Sequence, residues 1–249
     1  YYGSDSPSLS EALAKYLLLK SEGKDKTFVR GANRNIQYVT EHLGDRPIDA
    51  YTSADAASLR DKLMDNGLSV SSVKRNFSTI RSIINLTITE QGLDCTNAFA
   101  RTYMPDEEKQ RRLPIPMDCI YAIQSDCLDA DDDMRWIVAL LSDSGMRLGE
   151  AVGLVKSDII LDGDIPHVNI SPHAWRRLKT KGSQRCVPLV GKALWAASRA
   201  IEGRFLFPRY NRGSSSNANS ASAAINKWLK PRVPDNCVIH SFRHSMRDR

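Results

Sequence analysis

Three short segments of the sequence hold residue types that are suited to binding an anion. The first, SDSGMRLGEAVGL at 142–154, places Arg147 just after Gly145, where one helix is predicted to end and another to begin. We expect Arg147 in the first turn of the second helix, where the helix dipole disfavours a cation and favours an anion. Two interpretations follow: an exposed arginine without a role, or one that binds a phosphate together with free helix N–H groups.

The second segment, HSFRH at 240–244, places two histidines and an arginine on one predicted helix face. His240, Arg243 and His244 are spaced i, i+3 and i+4, which brings their side chains together. A zinc site is disfavoured, because the glutamate of the HExxH pattern is missing and Arg243 would repel a cation. Two interpretations stay open: an anion site formed together with Arg147 and Lys179, or a surface helix whose histidines are solvated.

The third segment, KTKGSQRCVPL at 179–189, places Lys179 and Lys181 in a predicted turn between two strands. It lies in the most basic part of the chain, since Glu202 is the only acidic residue between Trp175 and Arg209. The whole chain has a net charge of +6, of which residues 113–249 hold +5 and residues 1–112 hold +1. This distribution permits a polyanionic partner, and a solvated basic face would explain it equally well.

Composition excludes several classes of protein. A hydrophobic content of 41% is typical of a globular chain, and no apolar run reaches the roughly 18 residues of a membrane helix. The first ten residues are polar and do not resemble a signal peptide. The five cysteines are scattered without a CxxC pair, which argues against a disulfide framework or a zinc finger. We therefore expect a cytoplasmic protein with no membrane partner and no bound metal.

The first part of the chain is predicted to be a four-helix unit, residues 1–105. Apolar periodicity and capping signals, such as Ser8 with Glu11, indicate helices at about 8–22, 26–44, 53–66 and 71–90. The last of these carries Lys74, Arg75 and Arg81 largely away from its apolar face. That basic face either meets solvent or follows a phosphate backbone.

The second part, residues 117–249, follows a proline-rich linker at 106–116 and is predicted to mix helices with a small sheet. In chain order, the sequence predicts a short helix after Pro116, a helix at 132–142 and a helix after Arg147. Strands at 159–161, 167–170 and 185–189 follow, joined by hairpin turns at 162–164 and 181–183. The remaining elements are a helix at 192–201, a flexible polar loop at 211–219, a helix at 221–229 and a final helix from 239. The predicted fold class is mainly α with a small antiparallel β-sheet (α+β).

The three segments, in this order and after a four-helix unit, resemble the motif regions of the tyrosine recombinase (phage integrase) family. The segment GLSVSSVKRNFSTIRSIINLTITEQGL at 67–93 is similar to part of that family's helical core-binding domain. The resemblance covers about 8–249. It implies an N-terminal core-binding domain that grips DNA, followed by a catalytic domain that acts on a DNA phosphodiester. It further implies a bacterial or phage-encoded protein, double-stranded DNA as the partner, a homotetramer in synapsis, and no cofactor.

The resemblance also implies roles for individual residues. Arg147 is expected to be the first catalytic arginine and Glu150 an acidic residue that supports it. His240 and Arg243 match the family's HxxR pair, and His244 is expected to support them. Lys179 is expected to be the general acid, with Lys181 as the fallback. The residues expected to contact DNA are Lys74, Arg75, Arg81, Arg176, Arg177 and Lys181.

One family feature has no match in these 249 residues. The family's nucleophilic tyrosine lies beyond the HxxR arginine, whereas every tyrosine of this chain precedes His240. We therefore expect a sequence that is truncated before its nucleophile, and that binds DNA without cleaving it. Two alternatives stay open: a naturally non-catalytic DNA-binding relative, and an enzyme similar to type IB topoisomerases.

Overall fold

Four capped helices form the first of the two units into which the chain divides, residues 1–109 and 110–249. A computed structural model describes residues 6–108, 112–178, 180–201, 204–212 and 215–249. The helices of the first unit are α1 (Leu9–Lys20), α2 (Lys26–Leu43), α3 (Ser53–Asp65) and α4 (Val70–Gln91). The predicted capping box is present, since the Glu11 amide donates to Ser8 Oγ at 3.2 Å and the Ser8 amide to Glu11 Oε2 at 2.8 Å.

The core of the first unit forms along one face of α4. Val73, Phe77, Ile80 and Ile84 are buried there at helical spacing, together with side chains of α1, α2 and α3. Polar side chains occupy the opposite face of α4, which is exposed. The apolar periodicity of the sequence therefore sets which face of this helix remains available to a partner.

The second unit surrounds a buried helix, α6 (Asp133–Ser144). Every residue from Ile137 to Ser142 is buried, as expected for a helix that is apolar on all sides. The remaining helices of this unit are α5 (Met117–Ala130), α7 (Leu148–Val152), α8 (Gly191–Ala200), α9 (Ala218–Leu229) and α10 (Ser241–Asp248). Helices α5, α8 and α10 pack against α6.

A three-stranded antiparallel sheet completes the second unit and confirms the predicted α+β fold class. The strands β1 (Ile159–Ile160), β2 (His167–Ile170) and β3 (Arg185–Pro188) lie in the order β1-β2-β3. The tight hairpin predicted at 181–183 is wrong. Strands β2 and β3 are joined by a long connection at 171–184, in which Lys181–Ser183 form a short 3₁₀ turn.

Three further expectations differ from the structure. The polar segment at 211–219 was predicted to be a flexible loop, but it contains two short paired strands, β4 (Asn211–Arg212) and β5 (Ser215–Ser216), and the start of α9. The end of the predicted linker at 106–116 belongs to the second unit, because Ile115 is buried and its N–H and C=O both bond to Ser245 Oγ. Arg147 precedes α7 in extended conformation, rather than lying in its first turn.

No helix within the described part of the chain has the length and apolar character needed to cross a membrane. The functional names given to the two domains stay predictions, as do their predicted boundaries apart from the end of the linker.

Candidate active site

The site is built around a buried carboxylate, Glu150 on α7, which is only 5% exposed. Arg147 donates to it twice, from its backbone N–H to Oε2 at 2.9 Å and from Nη1 to Oε1 at 2.6 Å. Arg185, at the start of β3, donates from Nη2 to Oε2 at 2.9 Å and from Nη1 to Oε1 at 3.2 Å. One carboxylate therefore fixes two guanidinium groups that lie 38 positions apart in the sequence.

The ionised form of Glu150 is strongly favoured in the folded protein. Burial on its own would raise the pKa of this carboxyl, but hydrogen bonds from Arg185 and Arg147 outweigh burial and lower the pKa from 4.5 to about 2. Glu150 therefore stays charged at neutral pH and cannot act there as a proton donor. Its role in this geometry is to hold the two arginines.

The connection between β2 and β3 is fastened to this carboxylate through Ser183. Arg147 Nη1 donates to Ser183 Oγ at 3.2 Å, and Arg185 Nη1 donates to the Ser183 carbonyl at 2.8 Å. Ser183 is buried, so both bonds are shielded from water. Sequence reasoning did not name Arg185 as a site residue, although it is the arginine within the KTKGSQRCVPL segment.

Arg243 enters the site from α10 and is fixed by the turn that precedes Arg147. Its Nη1 donates to the Gly145 carbonyl at 2.6 Å. Gly145 ends α6 with a left-handed φ of 60°, and a Cβ placed there would lie 3.1 Å from Met246 Cγ. Glycine thus permits both the turn and the close packing of α10. Burial, followed by the charges of Arg147 and Arg185, lowers the pKa of Arg243 from its ordinary value, so these guanidinium groups lie close enough to repel one another.

His240 immediately precedes α10, and its ring lies beside that of His244, with 5.3 Å between the centroids. Burial lowers the pKa of His240, and the nearby charges of His244, Arg112, Arg243 and Arg147 lower it further. A pKa below its ordinary value leaves His240 neutral at physiological pH. A neutral imidazole can accept a proton or orient a hydroxyl group.

An open groove lies beside Glu150 and its partners, and its lining residues include Arg185, Cys186, His240, Arg243 and His244. Arg147 lies next to this lining, because it shares the Glu150 carboxylate with Arg185. Among the described contacts, Arg147 and Arg243 each use only Nη1 of the guanidinium group in side-chain hydrogen bonds. The other N–H donors of both side chains remain for an anion, in the fork geometry that suits phosphate.

The structure corrects the prediction for Arg176. It was expected to contact DNA, but it is 3% exposed and its guanidinium bonds to the Glu150 and Ser171 carbonyls at 3.1 and 2.6 Å and pairs with Asp158 at 3.2 Å. The side chain passes over Gly153, where a Cβ would lie 2.7 Å from Arg176 Cδ. Arg176 therefore anchors the β2–β3 connection and is not available to a partner.

The other predicted residues are placed as follows. Lys179 lies outside the described residues, and Lys181 is described only as part of the 3₁₀ turn. Arg177 is exposed in the β2–β3 connection. In the first unit, Lys74 and Arg75 are exposed on α4, whereas Arg81 is partly buried and donates from Nε to the Phe99 carbonyl.

Arg185, Arg243 and His240 thus line one open groove, and Glu150 holds Arg147 next to Arg185; together these residues define a site for an anionic group. Residues 117–248 match the model of the phage integrase family, and this region contains all five of these residues. Because the match covers more than half of the chain, the chain belongs to the phage integrase family. The resemblance to the tyrosine recombinases is confirmed.

Individual relatives are similar over most of the chain. Tyrosine recombinase XerC of Neisseria meningitidis serogroup C is 25% identical over 245 residues, which cover 90% of this chain and 76% of the relative. Tyrosine recombinase XerC of Methylobacterium nodulans is 28% identical over 182 residues, which cover 66% of this chain and 56% of the relative.

Solved structures share the fold. A lambda integrase tetramer bound to a Holliday junction superposes with a TM-score of 0.73 at 19% identity, covering 98% of this chain and 70% of that chain. The Tn1549 transposon integrase in complex with transposon right end DNA superposes with a TM-score of 0.72 at 17% identity, covering 96% and 85%.

We predict that Glu150→Gln destabilises the second unit by about 1.5–3 kcal/mol at pH 7, the range for hydrogen bonds to a charged group. Because the folded-state pKa of Glu150 is lowered from 4.5 to about 2, its stabilisation is complete above pH 4.5 and is lost as the pH falls towards 2. The difference between wild type and variant should therefore stay constant from pH 7 to pH 5 and shrink below that.

Urea unfolding followed by tryptophan fluorescence measures this difference, since all four tryptophans lie in the second unit. Asp164→Asn is the matched control, because Asp164 is an exposed acid of the same unit and its amide should change stability little at any pH. Equal stability of Glu150→Gln and wild type at pH 7 would contradict the role of Glu150.

Proposed function

We propose that this chain is the DNA-binding and catalytic body of a site-specific DNA recombinase. The observation that carries the proposal is that Arg243 lines the groove together with Arg185, and that Arg147 lies beside Arg185 on the shared Glu150 carboxylate. Among the described contacts, Arg147 and Arg243 each use only Nη1 in side-chain hydrogen bonds, which leaves their other donors for an anion. The scissile phosphate of duplex DNA is the anion that this site would hold. The names of the relatives support it, since they are tyrosine recombinases and integrases, and solved members of the fold are bound to DNA.

The arrangement suits attack on a phosphodiester. In the transition state extra negative charge develops on the phosphoryl oxygens, and preorganised guanidinium donors stabilise it without further rearrangement. Arg147 and Arg243 would bind these oxygens from two sides. Because both arginines are held by groups buried in the second unit, their orientation is set before DNA arrives.

The proposed reaction transfers the phosphoryl group to a tyrosine and back. A tyrosine oxygen attacks phosphorus and loses its proton to neutral His240 or to water, while the bond from phosphorus to the 5′ oxygen breaks. Lys179, with Lys181 as the fallback, donates a proton to that 5′ oxygen. The 3′-phosphotyrosyl link retains the energy of the broken bond, so rejoining needs no ATP.

The attacking tyrosine of this proposal comes from outside the 249 residues. Among the described residues, the lining of the groove contains no tyrosine, and the Tyr210 hydroxyl is buried. On this proposal the chain alone binds DNA, and cleavage requires a form of the protein that carries the nucleophile. A homotetramer on two duplexes is the assembly we propose, and the lambda integrase tetramer on a Holliday junction supports it.

We predict that bound duplex DNA protects Cys186 from alkylation. The thiol is exposed and lines the same groove as His240 and Arg243, so DNA seated on the arginines would cover it. Iodoacetamide labelling of the 249-residue chain, read for each cysteine by mass spectrometry, should slow at least about tenfold at Cys186 when DNA is saturating.

A salt concentration that releases the DNA should restore the alkylation rate, because phosphate contacts weaken as salt rises. Buried Cys127 serves as a reference for intact folding, since it becomes reactive only when the second unit opens. An unchanged rate at Cys186 in chains saturated with DNA would place the DNA elsewhere and overturn the assignment of the groove.

We predict that a 5′-thiol leaving group rescues Lys179→Ala in a form of the protein that contains the attacking tyrosine. A thiolate leaves readily without a proton, so the missing general acid no longer limits cleavage. Arg147→Ala should stay inactive on the same substrate, because it lacks charge stabilisation rather than a proton donor. Rescue of Lys181→Ala instead of Lys179→Ala would transfer the role of general acid to Lys181.

A further inference from the structure

A stripe of polar side chains, all exposed except the partly buried Arg81, runs along α4 in the first unit, and we name it the α4 stripe. Its spacing of i, i+4, i+7, i+8, i+11 and i+15 keeps its members on one helix face. The members are Lys74, Ser78, Arg81, Ser82, Asn85 and Thr89. None is acidic, and five of them line a shallow groove together with Lys20 from the end of α1.

Within this stripe, the orientation of Asn85 is set by Asn97. Asn97 Nδ2 donates to Asn85 Oδ1 at 2.8 Å and to the Arg81 carbonyl at 3.2 Å, while Asn97 Oδ1 accepts from the Phe99 amide at 3.0 Å. Asn97 is thus bonded at both ends of its amide. Because Asn85 Oδ1 already accepts a bond, Nδ2 is the end of this exposed side chain that remains as a donor, with no partner among the described contacts.

Arg81 is oriented by the same segment of chain. Its Nε donates to the Phe99 carbonyl at 2.7 Å, and its guanidinium carbon lies 5.9 Å from the centre of the Phe77 ring. Within residues 6–108 the ion pairs are Arg46–Asp55 and Arg60–Asp61, so no carboxylate pairs with Arg81. The two terminal nitrogens have no partner among the described contacts, and the side chain lines the groove on α4, so they remain as a fork of donors there.

From the way these two side chains are held side by side, we infer that Arg81 and Asn85 bind base edges in the major groove of DNA. The two base pairs would lie about two steps apart, and each would present a hydrogen-bond acceptor. The inference rests on the proposed function, since it takes duplex DNA as the partner. The two residues lie one helical turn apart, about 6 Å along α4, which is about two base steps. An arginine fork fits guanine O6 and N7, and a lone amide donor fits a purine N7 or thymine O4.

Two features favour base readout over phosphate contact for this pair. Phosphate binding needs charge, but it tolerates a long flexible side chain such as that of Lys74 at the start of the α4 stripe or of Lys20 on α1. Arg81 and Asn85 are instead held by hydrogen bonds to residues of their own unit, and Asn85 is neutral. Fixed donors are what distinguish one base edge from another, because each base pair presents its own pattern in the major groove.

The test begins with selection of preferred duplexes from a randomised library by the 249-residue chain. In the selected site, one guanine should be essential at its N7, so that 7-deazaguanine there weakens wild-type binding about tenfold, in the range of a bidentate contact. Arg81→Met removes every donor of this side chain. It should bind guanine and 7-deazaguanine equally while keeping the salt dependence of wild type, because the lost contact is to a base and not to a phosphate.

Asn85→Asp gives a second and independent readout. It replaces the remaining donor with an acceptor, so the selected base at its position should change from one with an exposed acceptor to cytosine, whose amino group donates. Lys62→Gln is the matched control, because this exposed lysine lies on α3 and its loss should leave the selected site unchanged.

If wild type, Arg81→Met and Asn85→Asp select the same site with the same preference, base readout by this pair is wrong while DNA binding stands. If the variants lose affinity equally for every sequence, the pair contacts phosphate and the inference again fails. If the wild-type chain binds no duplex DNA at all, the proposed function itself fails.

Discussion

The site depends on one interaction, the pairing of the buried Glu150 carboxylate with Arg147 and Arg185. A carboxylate removed from water is costly unless charged or polar donors surround it, and here a backbone N–H and two guanidinium groups do so. The pairing joins α7 to β3 and, through Ser183, fastens the end of the β2–β3 connection. Loss of Glu150 would leave two arginines close together without a counter-charge, so the position of Arg147 follows from this carboxylate.

The same carboxylate leaves the site with an excess of positive charge. Arg147, Arg185 and Arg243 lie close together, and Glu150 compensates for only one of them. Binding of an anion relieves this repulsion, which is the physical reason for expecting a phosphate there. A second buried ion pair, between Arg176 and Asp158, fixes the start of the β2–β3 connection. Ser183 fixes the end of the same connection. The predicted general acid Lys179 lies between these two anchors in the sequence.

Local signals were readable from the sequence, and pairings between distant segments were not. The capping box of Ser8 and Glu11 and the end of α6 at Gly145 depend only on residues that are close in the sequence, and the structure contains both. Arg185 was missed because its role requires knowing that β3 lies beside α7. Arg176 resembled its neighbours in a basic run, and only the space over Gly153 shows that it is buried. Ile115 looked like part of a linker because its partner, Ser245, lies 130 positions away.

The central claim is that Arg147 and Arg243 together hold one phosphate of the DNA backbone. The most direct measurement is a scan of a selected duplex with single methylphosphonates, each of which removes one backbone charge. At one phosphate the substitution should weaken binding of the wild-type chain by at least about tenfold, yet change binding of an Arg147→Ala, Arg243→Ala double variant by less than about twofold, since coupled groups show non-additive losses. Equal losses for both proteins at every phosphate would contradict the claim.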